Sequence, residues 1–182
     1  EELMEENVKE QEQKRKIELK ALQSQINPHF LYNTLDSIIW MAEGKKYEDV
    51  VLMTASLARL LRQSISNEDE TVLIGQEIQY VKSYLTIQKM RYKDKLEFEI
   101  NVDPSINSVH IVKLVLQPIV ENAIYHGLKY KESKGLLTVT GYQKNQNAVI
   151  EITDDGVGMD EETLNHIFEK HKVNYRSNGV GV

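Results

Sequence analysis

The sequence predicts an α+β chain in which a helical hairpin precedes a mixed sheet with helices layered on one face. Three observations carry this. Residues 1–66 are rich in helix formers, with apolar residues at helical spacing. Residues 96–102, 136–142 and 148–153 read as strands, the first by clean alternation of apolar and polar side chains. The second half runs helix, strand, helix, two strands, helix, an order that places helices against one sheet.

The first 26 residues are dense in Glu, Lys, Gln and Arg and hold no Gly or Pro. Opposite charges recur one helical turn apart, as in Glu10 with Lys14 and Glu12 with Lys16. Apolar positions are sparse at Met4 and Val8, then form a stripe at Leu19, Leu22, Ile26 and Phe30. A long exposed helix that gains a seam in this way enters a coiled coil or a bundle. Gly44-Lys45-Lys46 breaks it, and a second stripe follows at Val50, Met53, Leu57, Leu60 and Leu61, ending near Ser66-Asn67. Two long helices with a short connection form an antiparallel hairpin. One hairpin cannot fully bury its own seam, so two copies are expected to pair as a dimeric four-helix bundle with both stripes buried mainly between subunits. The polar stretch 66–70 is the candidate linker, dividing the chain into segments 1–66 and 67–182.

Beyond the linker, residues 76–92 read as a helix, and Leu96, Phe98, Ile100 and Val102 mark a half-buried strand that Asp103-Pro104 ends. Residues 111–127 carry helical spacing with Pro118 inside and Gly127 as the stop. The strands at 136–142 and 148–153 flank a turn at Lys144-Asn145-Gln146-Asn147. A short helix is expected around 160–168.

Composition removes several function classes. With 22 basic and 28 acidic side chains the net charge is −6, the wrong sign for a protein that must neutralise nucleic-acid phosphates. The absence of Cys excludes disulfides, a thiol nucleophile and Cys-ligated zinc. The remaining histidines (His110, His166, His171) lack metal-ligand spacing. No apolar run approaches the length that spans a bilayer, so this stretch is expected to make no direct membrane contact. The acidic start Glu1-Glu2-Leu3-Met4-Glu5-Glu6 is unlike a signal peptide, and the chain is expected to be a fragment of something longer.

Four constellations could carry chemistry. Asp154-Asp155-Gly156-Val157-Gly158-Met159 ends a strand, where glycines let a planar ligand approach the backbone and a carboxylate can accept from a base amine; a plain turn reads equally well. The run 117–127 places Glu121 and Asn122 in an apolar helix. Asn offers the neutral oxygen that suits magnesium, the alternative being polar residues facing solvent. In Gln25-Ile26-Asn27-Pro28-His29-Phe30-Leu31-Tyr32-Asn33-Thr34-Leu35, Pro28 would kink a continuous helix directly before His29, with Asn33 one turn on; alternatively Asn27-Pro28 starts a new helix. Ser177-Asn178-Gly179-Val180-Gly181-Val182, after Lys170, Lys172 and Arg176, is a basic glycine-containing segment able to fold over phosphates, or a loop.

Together and in this order, these motifs resemble the sensor histidine kinases of two-component systems, most closely the LytS/YesM-like subfamily. The resemblance rests on 25–35, on Glu77, Tyr84-Leu85, Gln88 and Arg91, on Leu116-Gln117-Pro118 through His126-Gly127, and on 154–159. It implies that residues to about 66 form the dimerisation and phosphotransfer bundle. The rest would be a gyrase-type ATP-binding α/β sandwich. It further implies that His29 is the phospho-acceptor, that Asn122 holds magnesium, and that Asp154 binds the adenine amine. Gly156 and Gly158 would line the base pocket, with Gly179 and Gly181 near the phosphates. The phosphoryl group would pass to an aspartate on a response regulator receiver domain.

Departures from the family pattern shape further expectations. Related kinases often carry Lys three residues after the magnesium Asn, where this chain has Tyr125, so phosphate contacts must come from elsewhere, with His126 or the basic segment before Gly179 as candidates. Many also place an acidic residue directly after the phospho-acceptor, where this chain has Phe30. Asn33 could then orient the imidazole by a hydrogen bond, and Glu121 is the candidate proton acceptor. Similar domains continue past the point where this chain ends at Val182, so the ATP-binding segment is expected to be incomplete. The alternatives are an ATP-binding pseudokinase relay and a gyrase-related ATPase that phosphorylates no histidine. By resemblance, the chain is the cytoplasmic part of a bacterial inner-membrane sensor, acting as a homodimer on ATP with magnesium.

Overall fold

A computed structural model describes residues 27–65, 71–159 and 161. The expected leading helix with Met4, Val8, Leu19, Leu22 and Ile26, the linker 66–70, most of the expected helix at 160–168, and the segment bearing Gly179 and Gly181 lie outside the described residues.

Helix α1 (Pro28–Glu43) begins at the proline. Asn27 is extended (φ −60°, ψ 115°), as the residue before a proline prefers, and its Oδ1 accepts the His29 N–H at 3.0 Å. Pro28 is thus an N1 residue with no hydrogen bond to lose, and of the two readings it is the helix start, not the kink, that holds. The backbone turns at Gly44 and Lys45, the latter at φ 57°, and enters α2 (Tyr47–Ile65), whose first turn carries Glu48 and Asp49 where the helix dipole favours them.

Next come β1 (Thr71–Leu73) and α3 (Ile74–Tyr92). Ile74, Ile78, Val81 and Leu85 form a buried stripe, but Tyr80, Ser83, Tyr84 and Ile87 are buried too, so α3 is enclosed on most sides. The helical hairpin packs on one side of it and strand β2 (Leu96–Val102) on another. Met53, Leu57 and Leu60 are buried against this assembly within a single chain, as is Phe30. This corrects the expectation that these seams are buried mainly between subunits: α3 supplies the apolar surface that the hairpin lacks.

Strand β2 pairs in parallel with β4 (Gly135–Lys144), which pairs antiparallel with β5 (Asn147–Asp154), giving the mixed sheet β2-β4-β5. The two-residue turn at Asn145-Gln146 has Asn145 at φ 56°, which a tight hairpin needs. Gly135, Leu137, Val139 and Gly141 of β4 alternate inward, so the core runs from the hairpin through α3 to one face of the sheet.

The segment expected as one helix at 111–127 is divided. Strand β3 (His110–Val112) pairs antiparallel with β1, a two-stranded sheet that three-residue strands gave no periodicity to reveal. Helix α4 (Leu116–Asn122) starts only after Leu114, at φ 58°, and Pro118 lies in its first turn, where a missing N–H costs nothing. The helix then widens into a π-type turn, Ala123–Leu128, and Gly127 lies inside that turn instead of stopping a helix.

Candidate active site

His29 is exposed on the first turn of α1, and Asn33 lies one turn on. The Asn33 Nδ2 is 3.1 Å from both His29 Nδ1 and Nε2. The amide therefore stands equally close to the two ring nitrogens and borders the imidazole without singling out one of them.

Phe30 turns inward and stacks on Tyr84 of α3, with ring centroids 5.2 Å apart and planes at 29°. Tyr84 in turn accepts from the buried Gln88 Nε2 at 2.7 Å. Burial, with Tyr125 and Glu121 nearby, pushes the Tyr84 hydroxyl well above its ordinary value, so it stays a neutral donor and acceptor. A small cavity here is lined by Asn27, Phe30, Tyr80, Tyr84, Gln117 and Glu121. The two neighbours of the Pro28-His29 pair and the Glu121 carboxylate thus share one wall. Glu121 accepts from Gln117 Nε2 at 2.8 Å, a helical i, i+4 contact that fixes its direction.

Asn122 and His126 are exposed on the next register of the same helical segment. No group of three or more His, Asp or Glu side chains suited to a metal occurs among the described residues. An amide oxygen beside a carboxylate nevertheless fits magnesium, which takes one or two protein ligands and fills its remaining positions with water and phosphate oxygens.

The strand-end motif separates two adjacent carboxylates. Asp155 is occupied: it accepts the Leu136 N–H at 2.8 Å and pairs with Lys131 at 2.7 Å, and the lysine holds its carboxyl below the usual range. Asp154 is exposed and accepts the Gly156 N–H at 2.9 Å. Gly127 faces it, because a Cβ there would stand 2.4 Å from Asp154 Oδ1, while one on Gly156 would stand 2.4 Å from the Gly127 carbonyl carbon. The Val157 N–H donates to the Gly127 oxygen at 3.1 Å. The turn after α4 and the end of β5 are therefore in backbone contact, which brings Asn122, His126, Asp154 and Gly156 into one region. Gly158, at φ 72°, touches nothing within 4 Å.

Glu77 is a residue whose role spacing alone did not reveal. It is 2% exposed, and its two oxygens accept the N–H groups of Leu114 and Leu116, each at 3.1 Å. A carboxylate from α3 thus caps α4, the helix that presents Glu121 and Asn122. The signal was an acid within the apolar stripe Ile74, Ile78 and Val81. Replacing Glu77 by Ala leaves two amides without their acceptor, and a loss of about 1–3 kcal/mol in denaturant unfolding is expected. Burial raises the carboxyl above its ordinary 4.5, outweighing the pull of the Leu116 and Leu114 amides. The folded protein holds this proton more tightly than the unfolded chain does. The group's contribution to stability is therefore fullest below 4.5 and falls as pH rises through the folded value.

Residues 17–96 match the family model for histidine kinase, and residues 108–182 match that for the histidine kinase-, DNA gyrase B- and HSP90-like ATPase. The chain belongs to the histidine kinase family. Its relatives include the sensor histidine kinase YesM of Bacillus subtilis, 41% identical over 90% of this chain and 28% of that protein. The sensor histidine kinase YpdA of Escherichia coli is 35% identical over 84% of this chain and 27% of that protein. The sensor protein LytS of Staphylococcus haemolyticus is 30% identical over 81% and 25%. Among solved structures, a histidine kinase domain from an Erythrobacter litoralis blue-light activated histidine kinase superposes with a TM-score of 0.41 at 15% identity, covering 79% of this chain and 72% of that one. The chain spans 25–28% of the length of these curated relatives. His29 and Arg91 lie in the first matched segment, and Asn122 and Asp154 lie in the second.

Proposed function

We propose that this chain is the catalytic part of an ATP-dependent protein-histidine kinase that phosphorylates His29 and passes the phosphoryl group to an aspartate of a receiver domain. The observation that carries the reading is the cavity shared by Asn27, Phe30 and Glu121, since it joins the phospho-acceptor turn to the helix of the ATP-binding segment. Residues 1–66 would be the dimerisation and phosphotransfer part and 67–182 the ATP-binding part. His29 is the nucleophile, and a neutral imidazole needs orientation more than activation. Asn33 supplies that orientation, and Glu121 takes the proton released from the ring. Asp154 accepts from the adenine amine beside Gly156 and Gly158, with His126, Gly179 and Gly181 toward the phosphates. Asn122 would hold magnesium, whose charge would offset that of the phosphates.

Incubation with labelled ATP should give protein-bound phosphate that is labile in acid and stable in base. ATP binding without such phosphate would favour a pseudokinase relay, and ATP hydrolysis without it a gyrase-related ATPase. Within the pocket, Asp154→Asn is expected to weaken both ATP and adenosine. Asn122→Ala should weaken ATP only when magnesium is present and leave adenosine unchanged. Equal losses in both variants would reject the two assignments.

The homodimer rests on what α3 leaves uncovered. Tyr32, Leu35 and Ile39 on α1, and Tyr47, Val51 and Leu52 on α2, are exposed, and a second copy would cover them. Light scattering at micromolar concentration should give twice the chain mass, and Leu35→Glu with Val51→Glu should reduce it to one chain. A wild-type monomer would reject this arrangement. No helix among the described residues is long and apolar enough to cross a membrane. We infer that the chain is the cytoplasmic part of a bacterial membrane sensor, a reading that rests on the family resemblance of its motifs and on relatives named as sensors.

A further inference from the structure

Moving a phosphoryl group requires fixed positive charge against the polyphosphate. The ATP-binding helix offers little: the position three residues past Asn122 is Tyr125, and the flanking Glu121 is an acid. The cations that face the phospho-acceptor helix lie elsewhere. A cleft of about 540 Å³ opens between α1 and the C-terminal end of α3, the size of a small-molecule site. Asn33, the residue against the His29 ring, stands in its wall, with Lys46, Arg91 and Lys93 as cations and Asp36 as the lone acid. None of those three cations has a carboxylate partner among the described residues.

Arg91 is also linked to the phospho-acceptor turn from inside. Its Nη1 donates to Gln88 Oε1 at 3.2 Å, Gln88 Nε2 donates to the Tyr84 hydroxyl, and Tyr84 stacks on Phe30, the residue after His29. One end of this chain of contacts fixes α1, and the other fixes a guanidinium in the cleft beside Asn33.

We propose that this cleft receives the terminal phosphates of the nucleotide during transfer, with Arg91 as the catalytic cation on the moving phosphoryl group and Lys93 beside it. The inference rests on the histidine-kinase reading above. In the step, a ring-nitrogen lone pair of neutral His29 forms the N–P bond to the γ-phosphorus as the bond to the β–γ bridging oxygen breaks. That electron pair leaves with ADP, and the proton on the other ring nitrogen passes to Glu121 or solvent. A guanidinium suits the place because its planar fork can address two equatorial oxygens at once.

Trp40, the sole tryptophan, also lines the cleft and is 78% exposed, so its fluorescence reads occupancy without turnover. A non-hydrolysable ATP analogue should change Trp40 emission more than ADP does, and Arg91→Gln should remove that difference. The single-turnover phosphorylation rate of Arg91→Gln should fall at least about tenfold with the KM for ATP within about threefold, and Arg91→Lys should recover part of the rate. Lys93→Gln, on an exposed side chain, should show a smaller loss in the same direction, and it decides the matter if Arg91→Gln does not fold. The proposal is overturned if both Arg91→Gln and Lys93→Gln phosphorylate at the wild-type rate. It is also overturned if Arg91→Gln weakens ADP and the ATP analogue equally. Absence of base-stable phosphate in the wild type would instead reject the kinase reading, while the Trp40 titrations would still report whether the cleft takes phosphates.

Discussion

Replacing His29 by Gln is expected to abolish base-stable phosphorylation while leaving stability and ATP affinity near wild type. The His29 side chain is exposed, and its backbone N–H, not its ring, closes the cap with Asn27. Glutamine keeps that N–H and a similar length, so the helix start is preserved and the stability change should lie within about 0.5 kcal/mol. The buried contact of this turn is the Phe30–Tyr84 stack, which the substitution does not touch. What disappears is the only group on the turn with a nucleophilic lone pair at neutral pH. Labelled-ATP incorporation and calorimetric ATP titration of the same preparation check both halves. Residual base-stable phosphate at the wild-type level would move the acceptor to another histidine. A loss of ATP affinity beyond a few-fold would mean that His29 belongs to the nucleotide site.

Gly127→Ala should act in the opposite sense, removing ATP binding and, through it, phosphorylation. A methyl group there would stand 2.4 Å from Asp154 Oδ1 and 3.0 Å from its Cγ, so the carboxylate must rotate away from its present place. That rotation also breaks the contact with the Gly156 N–H. Gly156→Ala meets backbone, with the Gly127 carbonyl oxygen 2.5 Å from the added carbon, so it must part the turn from the strand end. Each should cost about 1–3 kcal/mol of stability and at least about tenfold in ATP affinity. The double variant should lose less than the sum, because the displacement that relieves one clash relieves part of the other. Thermal melts and nucleotide titrations of the three variants test this, and full additivity would show that the two glycines act separately. Gly158→Ala is the contrast: nothing crowds it, and only its φ of 72° opposes a side chain, for about 1 kcal/mol.

By itself the sequence determined the longer local elements. Helical spacing placed the hairpin helices and α3, and alternation placed β2, because each of these buries one face over several turns or residues. The family was legible for a related reason: its motifs are short runs of residue types at fixed spacings, and 25–35, 117–127 and 154–159 carry them. Where a helix starts or widens was less legible. Asn27-Pro28 reads as a kink or as a cap until the φ and ψ of Asn27 are known, and Gly127 reads as a helix stop until Asp154 is seen against it. Tertiary structure alone decided which surface covers the hairpin. The stripe Met53, Leu57 and Leu60 seeks any apolar partner of matching length, and hydrophobic burial has no direction, so a second copy and α3 satisfy the pattern equally. It likewise decided what the two polar residues in the α3 stripe do. Glu77 caps a helix 37 to 39 residues away, and Gln88 bridges Tyr84 to Arg91. A buried carboxylate must find donors somewhere, but where they lie depends on how the chain returns, which spacing does not encode.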